Sequence, residues 1–202
     1  MAATIFIDGE AGTTGLQIKS RIEGRDGLDF IRLEGDRRKD PTARREALNA
    51  ADIVILCLPD DAAKEAVHLI DNPNTRVIDA SSAHRIAPGW AYGFPEYAAN
   101  SRSDIASSTR VTNPGCYAIT SVAMLHPLVQ AGLVPADWPV TINAVSGYSG
   151  GGKQLIAAFE DPASTDHTDE AFRVYGLGLA HKHVPEIQTW GGLTHRPLFV
   201  PS

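Results

Sequence analysis

An apolar run, Ala3-Thr4-Ile5-Phe6-Ile7-Asp8, stops on Gly9-Glu10-Ala11-Gly12-Thr13-Thr14-Gly15. A segment of helical spacing follows, Leu16 to Ile22, with Ile18 and Ile22 on one face. Strand, glycine turn and helix in that order is the context of a dinucleotide fingerprint. Glycines let the backbone turn tightly and approach a pyrophosphate, which then rests on the helix N-terminus. The spacing here is G-x-x-G-x-x-G, and a turn that merely needs glycine is the plainer alternative. The strand and helix on either side favour nucleotide binding by Gly9, Gly12, Thr13, Thr14 and Gly15.

The same alternation continues. Leu28 to Leu33 is predicted as a second strand, whose end meets the adenosine ribose in such folds. Glu34 stands where an NAD-binding acid would stand, but Asp36-Arg37-Arg38-Lys39-Asp40 follows. Three adjacent cations suit a ribose 2′-phosphate, so NADP(H) is the expected cofactor, gripped by Arg37 and Arg38 through bidentate guanidinium contacts. Pro41 to Ala50 reads as a short helix. Asp52 to Pro59 is nearly continuous apolar sequence, as a strand buried on both faces requires. Pro59 closes it where a dinucleotide would lie. Asp61 to Ile70 has helical spacing, and Thr75 to Asp79 is another strand. The pattern specifies an α/β fold with a parallel sheet.

Ala80-Ser81-Ser82-Ala83-His84-Arg85 is polar and leaves the C-terminal end of a strand, the edge at which such sheets bind ligands. Ser81 is a candidate for the cofactor, and Arg85 for an anionic group of a substrate; a surface arginine is the bland alternative for Arg85. Tyr92-Gly93-Phe94-Pro95-Glu96 reads as a rigid loop. Ile105-Ala106 and Thr109 to Thr112 read as a short strand that leads into Asn113-Pro114-Gly115-Cys116-Tyr117.

That last stretch holds one of only two cysteines. A Pro-Gly turn precedes the thiol and a helix-like run, Ala118 to Val129, follows it. The dipole and free N–H groups of a helix start stabilise negative charge, as a nucleophilic thiolate needs. Cys57, inside an apolar strand, reads as a buried and inert core residue. Two cysteines in 202 residues make no disulfide framework, and a reducing cytoplasm fits.

Beyond Cys116 the texture changes. Trp138 to Val145 is predicted as a β-branched strand. It enters Ser146-Gly147-Tyr148-Ser149-Gly150-Gly151-Gly152-Lys153, a second glycine-rich loop whose N–H groups, hydroxyls and lysine suit an anion; a flexible loop is the alternative. It does not fit the P-loop register. Glu160 to Thr168 reads as a polar connection. His181-Lys182-His183-Val184-Pro185-Glu186-Ile187 then offers two histidines at i, i+2. No further Cys/His cluster completes a zinc site, so no metal is expected and a catalytic base is the better reading. The domain boundary is placed at Cys116, with 1–115 binding the cofactor and 116–202 the substrate.

The net charge of −6 gives no general attraction to nucleic acid or an anionic membrane. The longest apolar run, Ile53 to Leu58, is far too short to span a bilayer. The C-terminal Arg196 to Ser202 reads as a strand just beginning, so the substrate domain is expected to continue.

A dinucleotide fold, an activated thiol and a distant histidine together imply acyl-transfer redox chemistry through a thioester. At this point the chain resembles N-acetyl-γ-glutamyl-phosphate reductases, in their short bacterial form, within the semialdehyde dehydrogenase superfamily. The resemblance rests on Gly9/Gly12/Gly15, Asp79 to Arg85, Tyr92 to Glu96, Asn113 to Tyr117, Ser146 to Gly150 and His181 to Ile187, in the family's order. It implies a Rossmann NADP-binding domain with a mixed α+β substrate domain, and arginine-biosynthetic reduction of an acyl phosphate. It further implies Cys116 as nucleophile, His181 or His183 as base, and substrate contacts from Arg85, Asn113, Ser146, Gly147, Ser149, Lys153 and Glu186. A cytoplasmic homo-oligomer, dimer or tetramer, is expected. Aspartate-semialdehyde dehydrogenase, whose cysteine follows Asn directly, ranks second. A non-catalytic NADP-sensing module with Cys116 as redox switch is the reading from another class.

Overall fold

The computed structural model describes residues 2–202. The chain forms two units, one running up to Pro114 and the other from Gly115 to Ser202.

The first unit is built on six parallel strands: β1 (Ala3–Asp8), β2 (Leu28–Ile31), β3 (Ile53–Leu56), β4 (Arg76–Asp79), β5 (Ala91–Tyr92) and β6 (Arg110–Thr112). Their order is β2-β1-β3-β4-β6-β5, the doubly wound arrangement expected from the alternation. Helices α1 (Thr13–Ile22), α2 (Pro41–Ala50), α3 (Asp60–His68) and α4 (Ser101–Ser107) supply the connections. Alternate residues of β1 feed two different clusters, because side chains along a strand alternate between faces. Ile5 and Ile7 pack with Ile55, Ile18 and Ile22. Phe6 packs with Leu48, Val54, Leu56, Ala63 and Val77. The row Phe6, Val54, Val77 is in register across β1, β3 and β4. Burial on both faces is why β1 and β3 carry the apolar runs Ile5-Phe6-Ile7 and Ile53 to Leu56, whereas on β4 only the alternate residues Val77 and Asp79 are buried.

Ile105-Ala106 corrects the sequence reading, since both lie in α4 and not in a strand. The guanidinium of Arg76 donates to the carbonyls of Ile105, Ala106 and Ser108. It thereby satisfies the carbonyls that a helix C-terminus leaves open.

The second unit contains α5 (Cys116–Gln130), β7 (Thr141–Ala144), α6 (Gly152–Glu160), α7 (Val184–Gly191) and β8 (Leu198–Pro201). β7 and β8 pair in parallel, with Ile142 opposite Phe199. Tyr117, Ala118, Val184, Ile187 and Phe199 form its core, with Leu125 and Ile142 against it. The predicted strand from Trp138 to Val145 shrinks to β7. The glycine-rich stretch is no plain loop: it makes a 3-10 turn at Tyr148–Gly151 and then enters α6. Among the described residues, no helix is long and apolar enough to cross a membrane.

Candidate active site

Cys116 is the first residue of α5 and is exposed. Gly115 precedes it as N-cap in extended conformation, and no acid of α5 itself occupies the first turn. The turn Asn113-Pro114-Gly115 thus places the thiol at a helix start. Three side chains from far along the chain meet this point. The Glu186 carboxylate, on the first turn of α7, accepts the Gly115 N–H at 2.8 Å. Tyr117, the next residue, is buried, and its hydroxyl donates to Ser146 Oγ at 2.6 Å. Tyr175 in turn donates to the Tyr117 hydroxyl at 2.8 Å. Burial, then the Tyr117 hydrogen bond, push the Tyr175 phenol pKa up, and the nearby Cys116 adds in the same direction.

Both histidines stand against Tyr117, each ring centroid 6.0 Å from its ring. The His183 backbone N–H donates to His181 Nδ1 at 3.1 Å. That nitrogen is therefore an acceptor, and neutral His181 carries its proton on Nε2. Burial, and secondarily the charge of Lys182, hold His181 below its ordinary value. His183 is buried, at 5% exposure, while His181 is only half-buried. Gly147 caps the 3-10 turn, Ser149 lies in it, and Lys153 is the second residue of α6. All three are exposed.

In the first unit, Gly9 has φ +89°, and a Cβ there would lie 2.3 Å from the Cys57 carbonyl oxygen. A Cβ on Gly15 would lie 2.5 Å from the Gly9 oxygen. Gly12 is the N-cap of α1, and the first turn, Thr13-Thr14-Gly15, carries no acid. These N–H groups have no acceptor within the helix. The residues fit a dinucleotide pyrophosphate: bare glycine backbone faces a helix N-terminus, in a strand–turn–helix frame. Two of the three glycines also have a packing reason to be there. Arg37 and Arg38 end a 3-10 turn after β2 and are exposed, with Arg38 Nε donating to the Leu33 carbonyl.

Pro59 caps α3. Ser81 is buried, and its hydroxyl and N–H both donate to Asp79. His84 Nδ1 also meets Asp79, at 2.6 Å, and its ring stacks on Trp90. Arg85 is not a surface arginine. It is 7% exposed and donates to the carbonyls of Ala80 and Asn113. It braces the strand edge against the segment that leads to Cys116. Asn113 itself is exposed. Glu186 is likewise buried, at 2% exposure. Burial and the nearby Asp79 and Asp8 raise Cys57 to about 11.

The sequence reading assigned no role to Tyr117 and missed Tyr175. Tyr117 lies within the cysteine motif and could have been flagged. Nothing marks Tyr175, a tyrosine in an irregular stretch. Among the described residues, no group of three or more His, Cys, Asp or Glu side chains could hold a metal ion.

Residues 13–108 match the semialdehyde dehydrogenase NAD binding domain, and residues 116–202 match the semialdehyde dehydrogenase dimerisation domain. N-acetyl-gamma-glutamyl-phosphate reductase 2 of Pseudomonas putida is 58% identical over 198 residues, covering 98% of this chain and 63% of that protein. N-acetyl-gamma-glutamyl-phosphate reductase of Brucella anthropi is 54% identical over 203 residues, covering 100% of this chain and 65% of that protein. The chain therefore spans less than two thirds of the length of these curated relatives. Aspartate semialdehyde dehydrogenase II of Vibrio cholerae shares the fold with a TM-score of 0.61 at 17% identity, over 100% of this chain and 70% of that one. The Francisella tularensis aspartate semialdehyde dehydrogenase gives 0.64 at 14%, over 100% and 72%. Two domains of one family account for nearly the whole sequence on a fold these structures share, and the chain belongs to the semialdehyde dehydrogenase family.

Proposed function

We propose that the chain reduces N-acetyl-γ-glutamyl phosphate to N-acetylglutamate semialdehyde with release of phosphate, in arginine biosynthesis, using NADPH. The observation that carries this reading is the exposed Cys116 at the start of α5, in a unit where Tyr117 contacts both histidines. The relatives' names supply the substrate class.

The Cys116 sulfur attacks the acyl carbon, the carbon–oxygen bond to phosphorus breaks, and phosphate leaves with that electron pair. The product is a thioester on Cys116. A nicotinamide cofactor, when bound, supplies the hydride that takes the thioester to the aldehyde level, after which the carbon–sulfur bond breaks. In this reading His181 acts as a donor: its Nδ1 is occupied by the His183 N–H, which leaves Nε2–H for an oxygen bearing developing charge. His183 is the residue that fixes that tautomer. The glycine turn and the start of α1 hold the pyrophosphate, and Arg37 with Arg38 select the 2′-phosphate.

The test is reduction of NADP⁺ in the presence of phosphate and N-acetylglutamate semialdehyde, run beside aspartate semialdehyde. Preference for the first is expected. Preference for the second would move the chain to the activity named for its structural neighbours, and activity with neither would favour an NADP-sensing module. Cys116→Ser should abolish turnover and leave NADPH binding intact. For the cofactor, Arg37→Ala is the cleaner variant, because Arg38 also ties the turn to Leu33. An unchanged NADPH/NADH affinity ratio would remove the case for NADP. We further propose a homo-oligomer in the cytoplasm, read for size by light scattering.

A further inference from the structure

The glycine turn assigned above to the pyrophosphate also carries an acid, Glu10, between Gly9 and Gly12. Its backbone packs on the first turn of α1: a Cβ built on Gly15 would stand 2.7 Å from the Glu10 Cα. The open N–H groups of a helix start attract any anion, a nearby side-chain carboxylate included. This carboxylate is engaged elsewhere. Lys19, in the last turn of α1, donates from Nζ to Glu10 Oε1. Among the described residues, no carboxylate accepts the N–H groups of Thr13, Thr14 or Gly15, and the first turn holds no acid of its own. The two side chains are only 19% (Glu10) and 26% (Lys19) exposed, so this is not a freely solvated surface pair.

We propose that Lys19 is a positioning residue for the dinucleotide: it holds the Glu10 carboxylate, so that the N–H groups at the start of α1 stay open to the cofactor's pyrophosphate. Helix side chains lean toward the helix N-terminus, which is how a lysine late in α1 meets a residue of the turn before it. Released from Lys19, Glu10 becomes an internal anion beside the turn. It then competes with the pyrophosphate for the same donors and repels it as a like charge. Paired, it adds no net negative charge there. The inference rests on the glycine turn being the dinucleotide site. Its rivals are a lysine that simply attracts phosphate and an ion pair that simply stabilises the fold.

The test is a double-mutant cycle read by binding, not turnover. Affinities for NADPH and NADH are measured by fluorescence titration for the parent, Lys19→Met, Glu10→Gln and the double variant, with the thermal midpoint of each. Lys19→Met frees the acid, and affinity should fall roughly three- to tenfold. Glu10→Gln should bind at least as tightly as the parent, and the double variant should regain the parent's affinity. A loss that persists in the double variant makes Lys19 a plain phosphate-attracting cation. Weakened binding in both single variants makes the pair merely structural. Either result overturns the proposal, as does an unchanged affinity in Lys19→Met. Should Lys19→Met not fold, Glu10→Gln decides alone: binding equal to or tighter than the parent's supports the proposal, and weaker binding overturns it. A parent that binds neither dinucleotide overturns it together with the cofactor assignment. The expected binding pattern without reductive turnover removes the proposed reaction and leaves the role of Lys19 standing.

Discussion

Two thiols in one chain are made unequal by what surrounds them. Cys57 follows β3, and burial with Asp79 and Asp8 beside it raises its pKa to about 11, so it stays protonated at neutral pH. Cys116 is exposed at a helix start. Iodoacetamide at neutral pH should therefore label Cys116 and spare Cys57, as read from the peptide masses; equal labelling would contradict the assignment. His181 is tuned from two directions. Burial comes first and the Lys182 charge second, and both disfavour its imidazolium. Its folded value lies below the unfolded 6.5, so its contribution to stability is present above that pH and is lost as pH falls through the lower folded value. Lys182→Ala should move the His181 Cε1–H titration upward, toward 6.5, by NMR. An unmoved midpoint would leave burial as the sole cause. The motif around Cys116 was readable because thiol, turn and helix are neighbours in sequence. Glu186 and Tyr175 reach it from 71 and 58 residues away, and no local pattern records a hydrogen bond across such a span.

Elements announced by local signals were found close to where the sequence put them. Asp40 followed by Pro41 is a helix start, and α2 begins there, with the Asp40 carboxylate accepting the Ala43 N–H at 2.7 Å. Asp40→Ala should cost about 1 kcal/mol in a urea titration. The glycine turn permits a sharper comparison. Gly24 and Gly9 both have positive φ, but a Cβ on Gly24 meets nothing, whereas on Gly9 it collides with the backbone of Cys57. Gly24→Ala should lose only the roughly 1–2 kcal/mol of a left-handed residue, and Gly9→Ala distinctly more. Equal losses would mean that the approach of the turn to β3 is relaxed easily. The elements that escaped the sequence reading lack such signals. α6 starts on glycines that read as loop, and α7 starts on Val184-Pro185 behind a histidine that supplies no side-chain cap. α4 is held by Arg76 from another strand, which no property of Ser101–Ser107 announces.

At the scale of the whole chain, hydrophobic patterning specified one unit far better than the other. The first unit's core draws on the apolar runs of β1 and β3, Ile5-Phe6-Ile7 and Ile53 to Leu56, with helix residues packed on either side, and this pattern dictates a parallel sheet with helices on both faces. The second unit's core is assembled from scattered single residues: Tyr117 and Ala118 from α5, Val184 and Ile187 from α7, Phe199 from β8. Each of these lies in a segment too short or too mixed to declare its partner. The consequence is testable with one large deletion in each core. Phe199 and Leu48 are both fully buried, and each belongs to a cluster drawn from its own unit only. Phe199→Ala should cost about 3–5 kcal/mol and Leu48→Ala about 2–5 kcal/mol. In hydrogen exchange, Phe199→Ala should release the amides of α5, α7, β7 and β8 and spare β1, β3 and β4. Leu48→Ala should do the reverse. Loss of protection throughout the chain from either substitution would mean that the two cores unfold as one cooperative body, and that the separate clusters do not mark separate units of stability.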